Sequence, residues 1–503
     1  MRRPRITSFV ALLLGVAPLG AQAPRLGTIA FPTSGAPEAR ASFTRGVLYL
    51  HSFEFASAAR EFRAAQSQDP GFALAYWGEA MTYNHPLWGE WDDTAARAVL
   101  ARLGPSPEAR RAKAPTERER RYLDAVEALW AEGPKPQRDT AYYRAMERLA
   151  GAYPDDDEAR TFFALATLGL SGTTRVFASY MRAAALVQPV FQRNPDHPGA
   201  AHYLIHSFDD PIHAPLGLPA ARAYSRIAPD AAHAQHMTTH IFLALGMWDD
   251  VVSQNTIAAG QTSWGAGHYT AWLGYGLLQQ GRFDDAQTHL ERARREMAPR
   301  PGARGYLVAM RAHYVVNTGR WNDSVLGWDI DPAGTTPLSA AIDAFVRGYA
   351  ALRRGDGTSL FTHFAALQGA AERGPPAARV LRLALEGAMA MERSRREEGI
   401  RLLREATALE DGLALEFGPP DIVKPSHELL GEYLLSWGRW AEAEREFERA
   451  LELAPQRALS LRGLVTAAAS AGNQTRAAWA HRTLRGFWQG PGDWLPTPVS
   501  ERP

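Results

Sequence analysis

Two pairs of histidines set the frame of this chain. His202 and His206 lie four residues apart, and His236 and His240 repeat the pair 34 residues further on. Pro195 and Pro229 keep the same offset, and so do His51 and His85 near the N-terminus. A stretch that aligns with itself without a gap at that period is a structural repeat, with room for two helices and their turns. A chain built this way adds core one hairpin at a time, which is how 503 residues fold without one oversized core.

A second grammar recurs along the chain. Gly246-Met-Trp248-Asp-Asp250, Gly281-Arg-Phe283-Asp-Asp285, Gly319-Arg-Trp321-Asn-Asp323 and Gly438-Arg-Trp440-Ala-Glu442 share one order. Glycine ends one helix in a left-handed conformation, the aromatic packs under the turn, and the acid favours the start of the next helix. In the first hairpin, Gly46, Tyr49, Ala58, Phe62, Ala65 and Pro70 follow the small-aromatic-small spacing of closely packed helix pairs. Leu430, Gly431, Leu434, Gly438, Ala443, Phe447, Ala450 and Pro455 repeat it near the C-terminus.

These residues resemble the tetratricopeptide-repeat family, most strongly at 41–90, 195–325 and 421–485. The resemblance implies an all-α, right-handed superhelical array of helix-turn-helix hairpins. The expected organisation is a linker at 24–40, N-terminal hairpins at 41–135, and a central array at 139–330 with a histidine-rich concave face. Hairpins of drifted spacing follow at 331–420, then a C-terminal repeat at 421–485 and an irregular tail at 486–503. The histidine block is also similar to a segment of poorly characterised exported bacterial repeat proteins.

Composition narrows the setting. A net charge of +1 with 22% charged residues gives no broad basic field, so no nucleic-acid partner is expected. Met1-Arg2-Arg3-Pro4-Arg5, the apolar run Ile6 to Leu19 and Ala21-Gln22-Ala23 form the parts of a signal peptide at 1–23. A periplasmic or secreted chain with no transmembrane helix after cleavage is expected; an uncleaved anchor is the alternative. The chain has no cysteine, so a metal must be held by nitrogen and oxygen ligands.

In the family the first helix of each hairpin lines the concave surface, at its second, fifth, ninth, twelfth and thirteenth positions. The resemblance therefore turns His202 and His236 (fifth) and His206 and His240 (ninth) inward. It does the same for Asp209 and Asp210, and for His233 and His268 at second positions. An i, i+4 pair shares one helical face, and packed helices lie about 8–10 Å apart, so the two pairs are within joint reach of one ion. His202, His206, His236, His240 and Asp209 are the expected ligands of a divalent transition metal, Zn, Cu, Fe or Mn. His233, Asp210, His268, Lys424, Glu428 and Glu432 are expected to line the ligand groove. The more ordinary use of the histidines is packing or hydrogen bonding along a wet concave wall; for Lys424, Glu428 and Glu432 it is an exposed helix start with an i, i+4 acid pair.

Two further features are set beside bland readings. His213, between Pro211 and Pro215, is either an extra ligand or a loop histidine. His85, Trp88 and Trp91 are either a stacking platform or core. No zinc-protease, phosphate-loop, dinucleotide, serine-hydrolase or calcium-loop motif occurs. Three readings stand: an exported scaffold whose concave groove binds a peptide or protein, a metal-binding protein or metalloenzyme with the histidine cluster as its centre, or a structural part of an envelope assembly.

Overall fold

The computed structural model describes residues 23–171, 175–415 and 417–496. The expected leader falls almost wholly on residues outside that set. Among the described residues there are 24 α-helices and one minimal hairpin, Asn84–His85 paired with Glu90–Trp91. The fold is all-α, a succession of helix pairs in which neighbours along the chain pack on each other. No helix among these residues is long and apolar enough to cross a membrane.

The pairs close because glycine lets an aromatic ring into the seam. A Cβ on Gly46 would meet the Phe62 ring at 2.7 Å, and one on Gly78 would meet it at 2.3 Å. Phe447 stands in the same relation to Gly431 and Gly463, at 3.0 and 2.3 Å. Each phenylalanine is fully buried between the helix before it and the helix after it.

The turn grammar also holds at the backbone. Gly246, Gly281, Gly319 and Gly438 all have φ between 65° and 73°. Acids open the helices Trp248–Gln261, Phe283–Arg295 and Trp440–Leu453. Two members depart from it. Asp323 caps a short 3-10 turn, Ser324–Gly327, and Trp440 stays exposed instead of packing under its turn, while Trp248 is buried.

The stretch 331–420 holds two regular hairpins, Pro337–Arg354 with Gly357–Arg373 and Pro376–Glu392 with Arg396–Asp411. Alanine and leucine fill much of their seams, with Phe345 and Tyr349 buried in the first, stacked on each other at 5.7 Å. Residues 24–40 are not a free linker. Arg25 pairs with Asp230 at 3.0 Å, Thr28 donates its amide to the Asp196 carbonyl at 3.0 Å, and Ser34 donates its amide to Glu119 at 2.7 Å. The segment is a strap, and a helix then starts at Pro37. The described part of the tail is also anchored. Trp488 stacks on Trp494 at 3.9 Å, and Gln489 donates its amide to the Gln280 carbonyl.

The array folds back on its own middle. Gln456 donates to the Leu245 carbonyl at 2.8 Å, the Trp248 indole donates to the Gln456 carbonyl, and the Ala458 amide donates to Gln279. The C-terminal hairpins thereby cover the ends of the central helices. The core divides in two, one part within residues 31–166 and one running from 164 to 487 that also takes Leu26, Leu48 and Phe53.

Candidate metal centre

Three successive inner helices, Pro198–Phe208, Ala232–Ala244 and His268–Gln279, carry the central histidines. Every residue of the first two is buried, so their inner positions face other side chains or a cavity between them instead of an open groove. The histidines do not gather around one point. One ring nitrogen from each of His202, His206 and His233 lies within 4.8 Å of the other two, and His236, His240 and His268 form a second such set. The two expected pairs thus separate into different sets. Each set is completed by a residue expected only to line the groove, His233 or His268.

The sets touch: the His206 and His240 ring centroids are 5.6 Å apart. Asp209 sits between them with Oδ2 accepting from Nδ1 of His206 at 3.3 Å and from Nδ1 of His240 at 3.0 Å. Its Oδ1 accepts from Arg175 at 2.7 Å. Burial alone would raise the Asp209 pKa, but the two imidazoles and Arg175 outweigh it and hold the carboxyl below the usual range. Asp209 is expected from sequence as a ligand; here both its oxygens are engaged in holding rings and a guanidinium.

All six imidazoles have Nδ1 occupied from outside. His202 donates to the His51 carbonyl at 2.6 Å, and His206 and His240 share Asp209. His236 meets Asn255 Oδ1 at 2.7 Å, His233 meets the Tyr269 hydroxyl at 3.4 Å, and His268 meets the Tyr306 hydroxyl at 3.2 Å. The Asn255 amide is oriented by Val251, whose carbonyl accepts from Nδ2 at 2.9 Å. Its oxygen must therefore face His236, which puts the ring proton on Nδ1 and leaves Nε2 bare. In the first set, Nε2 of His202, His206 and His233 is buried without any hydrogen-bond partner. In the second, Nε2 of His236 and of His240 lie 3.1 Å apart, each on a ring whose proton is committed to Nδ1. Two bare lone pairs cannot bond to each other.

Burial, reinforced by repulsion among neighbouring imidazoles, lowers the pKa of His202, His233, His236 and His240, and takes that of His268 to about 3. The hydrogen bond and charge of Asp209 oppose this at His240 without reversing it. These rings are neutral, the form that ligates a metal.

Aromatic rings lock the imidazole planes. His240 is sandwiched between Trp272 at 4.6 Å and Phe417 at 4.7 Å. Phe53 packs on His202 at 4.4 Å and on His233 at 5.5 Å, and its backbone is in the left-handed region at φ 53°. A phenylalanine there is uncommon, and such backbone strain gathers at functional sites. A cavity of about 800 Å³ reaches His206, His233, His240 and His268; Trp88, Glu90, Tyr269, Arg300, Tyr306 and Phe417 are among its walls.

The other expected residues take different places. Asp210 is fully buried, accepting from the amides of Ile212 and His213 and pairing with the His213 ring at 2.9 Å. It ties a turn and lines no groove, and His213 is its partner. Glu428 is closed off: Arg457 donates to both its oxygens, Ser460 donates at 2.6 Å and Lys424 at 3.0 Å. Glu432, whose side chain is 40% exposed, also takes Lys424 at 2.6 Å and borders a separate pocket with it. Trp91 is exposed while Trp88 borders the cavity, with His85 stacked on Phe55 at 3.8 Å. His51 belongs to a buried group with Glu158 and Tyr203, at 2.7 and 3.1 Å.

Sequence reading misses Asn255, Tyr269, Tyr306, Phe53 and Arg175. Asn255 had a signal: it follows His236 by 19 residues, the same step that joins His427 to Glu446 and Thr270 to His289. That step links an inner helix to the outer helix of its own hairpin.

No protein-family profile matches the chain, and none of the curated proteins does. Among solved structures, the crystal structure of the APC/C hetero-tetramer Cut9-Hcn1 is similar over 93% of this chain and 78% of that chain, at 12% identity and a TM-score of 0.34. At that score the likeness carries no argument, and the hairpin architecture stands on the helices described above.

Proposed function

We propose that this protein is a metalloprotein in which His202, His206 and His233 hold a first-row transition metal ion at the edge of a small-molecule cavity. One observation carries the reading: three imidazoles, each held from outside at Nδ1, have buried and unpartnered Nε2 atoms, and one ring nitrogen of each lies within 4.8 Å of the other two. Burying such atoms unsatisfied costs about 1–3 kcal/mol each, a cost a metal ion removes. Holding Nδ1 by a carbonyl, a carboxylate or a hydroxyl is the outer-shell pattern that orients ligating histidines.

The donor set favours copper or zinc within the expected range of Zn, Cu, Fe and Mn. It offers imidazole nitrogen only, since Asp209 is spent on Nδ1 protons, and manganese prefers oxygen donors. Three protein ligands leave a coordination position free, as catalytic sites require and structural sites do not. The cavity beside it falls within the usual range for small-molecule sites, about 300–1,000 Å³. Helical-repeat arrays serve as interaction scaffolds as a class. A peptide laid along Pro198–Phe208 and Ala232–Ala244 has little support here, because every residue of those two helices is buried. Export remains part of the proposal, on the leader sequence alone.

The test is elemental analysis of untagged protein, followed by thermal melts with added Zn(II) or Cu(II). Bound metal is expected at one ion per chain or more, with stabilisation of about 2.7 kcal/mol when free ion is 100 times Kd. His206→Ala and His233→Ala should each abolish tight binding at this set. Protein that carries no metal, and melts at the same temperature with and without added ion, would refute the proposal.

A further inference from the structure

The second histidine set asks for its own explanation. With Asn255 and Asp209 taking the Nδ1 protons of His236 and His240, the two Nε2 lone pairs face each other at 3.1 Å. No hydrogen bond can join them, and Trp272 and Phe417 prevent the His240 ring from swinging away. A metal–nitrogen bond of 2.0–2.1 Å places adjacent ligand nitrogens about 3–3.4 Å apart. The observed spacing is that of two ligands on one ion. His268 supplies a third nitrogen within 4.8 Å, is half-buried, and borders the cavity.

We propose that His236, His240 and His268 bind a second transition metal ion beside the first, making a two-metal centre of six imidazoles with Asp209 as the carboxylate common to both halves. The inference rests on the reading above for its first ion. Asp209 touches no ion in this arrangement: it is a positioning residue, holding His206 for one metal and His240 for the other. The His206 and His240 centroids are 5.6 Å apart, and an ion lies about 3.2 Å beyond each centroid. The two ions are therefore at most about 12 Å from one another. Both face one cavity, so a small ligand entering it meets two cations.

The experiment counts metal. Untagged full chain is loaded with Cu(II) or Zn(II), freed of loose ion by desalting, and assayed for ions per chain, with circular dichroism reporting the fold of every variant. Two ions are expected for the wild type, one for His268→Ala and one for His233→Ala. Asp209→Asn should weaken both ions by about 10–100-fold, since the shared positioning group is lost. In the fully Cu(II)-loaded protein, electron paramagnetic resonance should show a signal broadened or diminished by the neighbouring ion. A sharp mononuclear signal of full intensity should return in His233→Ala.

A wild type that stops at one ion, lost in His233→Ala and kept in His268→Ala, overturns the second site and leaves the first standing. A wild type that takes no ion overturns both. Should His268→Ala fail to fold, the wild-type stoichiometry and the His233→Ala count still decide.

Discussion

Asn255 lies outside any ligand set, yet it determines which nitrogen of His236 is bare. Its amide cannot flip, because the Val251 carbonyl can only accept. Asn255→Ala should leave the helices intact and weaken the second ion by about 10–100-fold, with the first unchanged. Competition titration with a chromophoric chelator reads this out, and equal affinities in variant and wild type would sink the role assigned to Asn255. At this scale the sequence revealed the histidines and not their grouping. The 34-residue register exposes the two pairs, but their division into sets depends on how three helices stand side by side. Phe53 escapes any pattern search, because its left-handed backbone and its contact with His202 arise only when a turn from the first hairpin reaches the helix Pro198–Phe208.

The hairpin depends on a missing side chain. Phe447 fills the seam only because Gly431 and Gly463 carry no Cβ, and Phe62 does the same between Gly46 and Gly78. Gly463→Ala would bring a methyl group to 2.3 Å from the Phe447 ring. Overpacking of this kind costs about 1–3 kcal/mol, outweighing the small gain from a better helix former. Chemical denaturation should show the loss, and pairing the change with Phe447→Leu should recover part of it. A Gly463→Ala protein as stable as wild type would mean that the seam is looser than described. Helix pairs of this kind were legible wherever glycine and an aromatic mark the contact. Between 331 and 420, alanine and leucine with the buried Phe345 and Tyr349 do the same packing without the recurring glycine-aromatic spacing, so only the helical period was visible there.

Across the whole molecule, Arg457 links the last hairpins to the middle of the array. It donates to both oxygens of the buried Glu428 and to the Tyr275 hydroxyl at 3.2 Å. Burial would raise the Glu428 pKa, but Arg457 and Lys424 pull it below its ordinary 4.5. The stability this contributes is complete above pH 4.5 and is lost as pH falls from there towards the lowered folded value. Melting temperature should therefore drop below pH 4.5, and less steeply in Glu428→Gln, which should already be weaker at neutral pH by about 3–5 kcal/mol because Arg457 is left buried beside a neutral partner. Identical pH slopes for the two proteins would remove Glu428 from the account. None of this was readable from residues 424–432, where the acid pair looks like an exposed helix start. Lys424 is near in sequence, but Arg457 and Ser460 come from a different hairpin, and Arg457 in turn meets Tyr275.

The order of the chain has a consequence for how the centre is made. Its six imidazoles all fall between residues 202 and 268, while the ring stacked over His240 is Phe417, and the contacts that fasten the final hairpins come later still. During synthesis the nitrogens emerge together, well before the segment that roofs them exists. On the two-metal reading, ions can enter freely in that interval, and once the last repeats dock they must come by way of the cavity.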